Sequence, residues 1–152
     1  MPPVTALEPL DTDEDALVRA LGRVMTVVPK LIDADLKRDA GISLTEYSTL
    51  MHLSESRDRR MRMSELAAAC DLSLSGMTRA VARLEIEGFV RRFQCDEDGR
   101  GWFAALTAAG LARLEAAYPT HLEATRRRIL DHFAGFDLAE VARVFDELST
   151  AD

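Results

Sequence analysis

Between Arg57 and Thr107 the chain orders its elements in a way that few folds accommodate. Leu66, Ala67, Ala69, Cys70 and Leu72 predict a short helix whose alanines permit close helix–helix approach. A polar turn follows, and Ser73 then caps a further helix whose inward stripe is Met77, Val81 and Leu84, with Gly88 as its C-terminal stop. Phe89-Val-Arg-Arg-Phe93 alternates apolar and basic residues, and Trp102-Phe-Ala-Ala-Leu106 supplies a partner strand across the tip Gln94–Gly101. Helix, turn, helix and β-hairpin in succession describe a winged helix-turn-helix. Such a unit places one helix in a DNA major groove and a hairpin beside it.

The flanks are helical. Residues 1–11 hold three prolines and no periodicity, and read as an irregular arm. Thr12 or Asp13 is the expected cap of a first helix, with acidic residues at the positive end of its dipole. Leu17, Leu21, Val24, Val28, Leu31 and Ile32 recur at helical spacing, Pro29 predicts a kink, and Gly41 ends the element. Ser43-Leu-Thr-Glu46 is a capping box that opens a second helix with Leu44, Tyr47, Leu50, Met51 and Leu53 on its apolar face. Ser54–Arg60 reads as a loop. Thr107 caps a long fifth helix expected to reach about Phe133, with a second kink at Pro119. Asp137-Leu-Ala-Glu140 opens a last helix bearing Leu138, Val141, Val144, Phe145 and Leu148. The expectation is a mainly α fold with a small two-stranded β wing, in the order α-α-α-α-β-β-α-α. It forms one domain over 1–152, with a winged region at 43–106 between terminal helices at 12–40 and 107–150.

Charge sharpens the reading. The chain carries a net charge of −7, which argues against a nucleic-acid binder at first sight. Within 57–107, however, nine arginines face eight acids, so this window is net +1 and the remainder −8. The window has no lysine, and arginine's planar fork suits bidentate contacts to phosphate and guanine edges. No run of roughly 18 apolar residues predicts a membrane span, and the N-terminus has no signal-peptide pattern, so the cytoplasm is the expected location. Cys70 and Cys95 are spaced neither for a zinc site nor as a disulfide framework, and His121 and His132 lie too far apart on one helix to share a metal. There is no nucleophile elbow, phosphate-cradling loop or zinc-protease motif, so neither an enzyme nor a cofactor is expected.

The helix that opens at Ser73 carries the candidate base-reading residues. Ser75, Gly76 and Thr78 are small or polar at its start, which permits close approach to base edges, and Arg79 one turn on can reach guanine O6 and N7. Ser73, Ser75 and Thr78 hydroxyls suit phosphates, and Arg83 lies further along the same surface. In the wing, Arg91, Arg92 and Arg100 frame the acidic tip Asp96-Glu-Asp98. Asp98 has a useful role if it orients Arg100 into a narrow minor groove. The bland alternatives are a capped surface helix and a charged hairpin that keeps an edge strand soluble. Two other functional readings stand beside DNA binding: a dimeric helical adaptor that binds protein through its wing, and a redox sensor through Cys95, whose thiol has Arg91 and Arg92 near it in sequence.

Leu44–Thr107 resembles the MarR-type winged-helix transcription regulators. The resemblance rests on Leu44-Thr-Glu-Tyr47, Ser64-Glu-Leu-Ala67, Thr78-Arg-x-Val-x-Arg-Leu-x-x-x-Gly-Phe-Val-Arg-Arg92 and Asp98-Gly-Arg-Gly…Ala-Leu-Thr107. It departs from that pattern at Gly99, where a second basic residue is common, and at Leu74, where proline is frequent. The resemblance implies a homodimer with interleaved terminal helices on a pseudo-palindromic operator in double-stranded DNA. It implies that Ser75, Gly76 and Arg79 read the major groove, and Arg100, supported by Asp98, the minor. It also implies a small aromatic or phenolic effector between the dimerisation helices and the winged unit. Tyr47, His52 and Trp102, with the first helix around Asp33, are the candidates for that pocket.

Overall fold

The computed structural model describes residues 7–94 and 101–150. The first helix, α1 (Thr12–Ala40), is capped not by Thr12 or Asp13 but by Asp11, whose carboxylate accepts from the Asp13 and Glu14 N–H groups. Glu14 returns the favour to the Asp11 N–H, a complete capping box that lies one residue upstream of the expected start. The helix runs through Pro29 without interruption and ends where Gly41 takes φ +65°, a left-handed conformation that suits glycine. Ser43 and Glu46 then form the expected box at the head of α2 (Leu44–Glu55).

The segment expected as a loop is partly ordered. α2 covers Ser54 and Glu55, a 3-10 turn spans Arg57–Arg59, and β1 (Arg60–Arg62) follows. β1 pairs antiparallel with β3 (Trp102–Leu106), which pairs on its other side with β2 (Val90–Gln94). The wing is thus the longer part of a three-stranded sheet of order β1-β3-β2 rather than a two-stranded hairpin. Three residues are too few for an alternating pattern to be visible beforehand. α3 (Met63–Ala69) begins directly after β1, with Met63, Leu66 and Ala67 buried. α4 (Leu74–Ile86) buries Met77, Ala80, Val81 and Leu84.

The core of the winged unit gathers Leu50 and Leu53 of α2, Leu66 of α3, Met77 and Leu84 of α4, Val90 of β2 and Ala104 of β3. α5 (Ala108–Arg128) joins it through Leu114 and Ala117 and packs along α1. Its start is stapled to the end of the α4 turn. The Thr107 N–H donates to the Phe89 carbonyl (3.1 Å), and the Thr107 hydroxyl to the Gly88 carbonyl (2.7 Å). Gly110 allows this approach, since a Cβ there would lie 2.1 Å from the Phe89 oxygen.

α5 stops at Arg128 instead of reaching Phe133, because Ile129 leaves the helical region (φ −127°, ψ −68°) and a 3-10 turn spans Leu130–Phe133. α6 (Leu138–Thr150) buries none of its residues. Leu138, Val144, Phe145 and Leu148 are exposed, as are Leu17, Val18, Val24 and Met25 on α1. Of the predicted α1 stripe, Ile32 is buried and Val28 packs against the core, while Leu17, Val24 and Leu31 face outward.

Candidate nucleic-acid interface

α4 presents its polar face because its apolar residues have only one place to go. Met77, Ala80, Val81 and Leu84 turn toward α2 and α3, leaving Ser75, Thr78, Arg79 and Arg83 on the outside. The Ser73 hydroxyl accepts the Gly76 N–H (3.1 Å) and lies 3.2 Å from the Ser75 hydroxyl, so it is occupied as the helix cap. The Thr78 hydroxyl donates to the Leu74 carbonyl (2.8 Å), so its oxygen keeps lone pairs with which to accept. Gly76 is half-buried, and an added Cβ would press on the Ser73 hydroxyl at 3.2 Å.

The four described arginines of α4 and β2 fall into two classes. Arg79 is exposed and forms no ion pair among the described residues, and Arg91, on the outer face of β2, lies over the Phe93 ring at 5.6 Å. Arg83 instead faces Glu46 of α2, with Nε 3.6 Å from the carboxylate. Arg92 is bound to Glu85 of α4: its backbone N–H donates to one carboxylate oxygen (3.2 Å) and its Nε to the other (2.9 Å). The Arg92 side chain and then its backbone N–H hold the Glu85 carboxyl below the usual carboxylate range. This pair has no local sequence signature, because its members are seven residues apart across the Gly88 turn.

Between the start of α4 and the wing lies a cavity of about 380 Å³, bordered by Arg62, Leu74, Thr78, Arg92, Gly101 and Trp102. Trp102 is half exposed, with the Arg92 guanidinium 6.0 Å above its ring. It does not share a pocket with Tyr47, because its register opposite Gln94 sets it at the tip end of the hairpin. Tyr47 is buried and stacks on His121 of α5, with centroids 4.3 Å apart and an interplanar angle of 16°. Burial pushes the Tyr47 phenol up and the His121 imidazole down. His52 is half-buried in the last turn of α2. Asp33 ties α1 to α2 by accepting the Leu44 N–H (2.9 Å). The wing-tip candidates Asp98 and Arg100, with Gly99 and Cys95, lie outside the described residues.

Among the described residues no cluster of histidine, cysteine or acidic side chains could hold a metal, and no helix is long and apolar enough to cross a membrane. Cys70 is half-buried, 3.9 Å from the Thr49 hydroxyl, and burial pushes its thiol up, away from the reactive thiolate form.

Residues 42–101 match the model of the MarR family. The fold superposes on Sco3205, a MarR family transcriptional regulator from Streptomyces coelicolor whose crystal structure is a complex with DNA. The two are 35% identical with a TM-score of 0.80, over 95% of this chain and 96% of that one. AbsC, a MarR family transcriptional regulator from the same organism, is 33% identical with a TM-score of 0.83, over 94% and 96% of the two chains. The HTH-type transcriptional repressor YetL of Bacillus subtilis (strain 168) is 35% identical over 81 residues, and the match spans about half of that relative's length (48%). Near-complete coverage at this identity, on a winged-helix architecture with matching motifs, places the chain in a family: it belongs to the MarR family of transcriptional regulators.

Proposed function

We propose that the chain is a cytoplasmic, sequence-specific DNA-binding regulator, a repressor that acts as a homodimer on a pseudo-palindromic operator and responds to a small aromatic or phenolic anion. The observation that carries the reading is the outward face of α4. Ser75, Thr78 and Arg79 are exposed beside an arginine-bearing wing, and Arg79 forms no ion pair among the described residues. An extended guanidinium on a helix whose start is small is suited to bidentate contact with guanine O6 and N7. Arg91 is the described wing residue best placed to meet phosphate, and the resemblance assigns Asp98 and Arg100 to the minor groove.

The exposed apolar faces of α1 and α6 support a two-fold partner, since faces of this kind mark interfaces and palindromic recognition needs symmetry. An effector held between these helices and the winged unit would act by shifting the population of spacings between the two α4 helices. The test is a gel shift on DNA flanking the protein's own gene, with and without a panel of aromatic acids. Retarded complexes that dissolve on raising the salt support the reading, because phosphate contacts release counterions. A shift indifferent to salt and to DNA sequence overturns it.

A further inference from the structure

The Glu85–Arg92 pair joins two elements that must act together at DNA. Glu85 lies near the end of α4, and Arg92 is the third residue of β2. One carboxylate oxygen takes the Arg92 backbone N–H and the other its Nε, so the contact fixes both the strand and the direction of the side chain. About a third of each side chain is exposed (33% for Arg92, 36% for Glu85). A pair this open to water adds little to folding. Its consequence is where it leaves a positive charge. Arg92 borders the same cavity as Leu74 and Thr78 at the start of α4, beside the surface assigned to DNA. Without Glu85 no other carboxylate among the described residues pairs with Arg92, and only the Trp102 ring lies over it at 6.0 Å. A long arginine without an ion pair there would reach phosphate whatever the sequence.

We propose that Glu85 is a positioning residue that withholds Arg92 from the DNA backbone and fixes the wing against α4, so that the operator is distinguished from unrelated duplex. The assignment rests on the DNA-binding reading above. It divides the arginines by role: Arg79 and Arg91 are offered outward, while Arg92 is held against α4 as a tie.

The experiment measures the affinity of wild type, E85Q, E85A and E85A/R92A for the operator fragment and for an unrelated duplex of equal length across a salt series. Circular dichroism and thermal melts verify that each variant is folded. E85Q keeps an acceptor for the Arg92 N–H and guards against a misfolded alanine variant. With the charge of Glu85 removed, the salt dependence on unrelated duplex should steepen by about 0.9 in log–log slope for each Arg92 that reaches a phosphate. The ratio of operator to unrelated affinity should fall. Removing Arg92 as well should return the slope to that of wild type. Folded E85Q and E85A with wild-type slopes and ratios would overturn the proposal, as would a steepening that survives in E85A/R92A. Wild type that binds no DNA at any salt would instead refute the DNA-binding reading, and the proposal with it.

Discussion

Asp35 of α1 and Arg128 of α5 are joined by two hydrogen bonds, 2.9 Å from Nε and 3.1 Å from a terminal nitrogen, although the Asp35 side chain is wholly buried. Arg127 and Arg38 each add one at 2.9 Å, so both carboxylate oxygens are doubly engaged. The Arg128 hydrogen bond, with those of Arg127 and Arg38, holds the Asp35 carboxyl far below the usual carboxylate range against the opposing effect of burial. Asp35→Asn should cost about 3 kcal/mol, the lower end of the range for breaking a buried pair, because the arginine heads still reach water. Denaturant unfolding of the two proteins measures the difference, and a loss within error of zero would show that α1 and α5 are held by apolar packing alone.

His121 and Asp35 titrate in separate pH intervals. His121 is held neutral by burial against Tyr47, so the unfolded chain binds its proton more readily than the folded one. Its contribution is complete above the ordinary histidine value of about 6.5 and declines as pH falls below it. Asp35, with its folded value depressed, loses its contribution only below the ordinary aspartate value of about 3.9. Melting temperature should therefore fall between pH 7 and 5 in wild type and fall less in His121→Phe, which keeps a ring on Tyr47. Parallel curves for the two proteins across that interval would remove His121 from the account.

Gly110 sets how close α5 comes to the turn after α4. A methyl group there would sit 2.1 Å from the Phe89 oxygen and 2.7 Å from Leu106 Cδ1, and the first of these atoms is backbone that cannot rotate away. Gly110→Ala should destabilise by about 1–3 kcal/mol, the usual cost of overpacking. For a domain of this size that is a drop of about 2–4 °C in melting temperature per kcal/mol. Calorimetry decides it, and an unchanged melt would mean that the Thr107 staple yields freely.

The residues that announced themselves beforehand are those whose role is local. Ser43 with Glu46, Ser73 and Thr107 cap helices as expected, because capping is settled within four residues. The Asp11 box is hard to see because Asp11 closes a proline-rich stretch with no periodicity. β1 was hidden by its length, and its pairing to β3 depends on residues some forty positions away. The chemistry of the charged groups likewise depends on partners that only the fold brings together. Asp35 falls one turn after Ile32 on the inward face of α1, a position that marks it as buried, yet its partners Arg127 and Arg128 lie on another helix. Likewise Arg83 and Arg92 look equivalent to Arg79 in sequence, and only the fold sets Glu46 and Glu85 beside the first two.

Arg79→Ala tests the base-reading assignment directly. The side chain is exposed and unpaired among the described residues, so its removal breaks no hydrogen bond or ion pair there and stability should be nearly unchanged. Operator affinity should fall by about 1–3 kcal/mol, with relaxed preference at one position of each half-site. A footprint of unaltered affinity and preference would place base reading elsewhere on α4.

Assembly and folding can be separated at α6. α6 carries exposed Leu138, Val144, Phe145 and Leu148 and buries none of its residues within the protomer, so charge introduced there leaves the winged core untouched. A glutamate at an apolar interface must be desolvated without a partner, which disfavours association far more than it disturbs an exposed helix. Phe145→Glu should therefore sediment at half the mass of wild type while keeping the helical signal of a folded chain. Operator binding should weaken steeply, since a monomer engages one half-site and loses the second contact that the two-fold axis supplies. Wild type that already sediments as a monomer, or a Phe145→Glu variant that remains dimeric at low micromolar concentration, would show that α6 is not the face through which two copies meet.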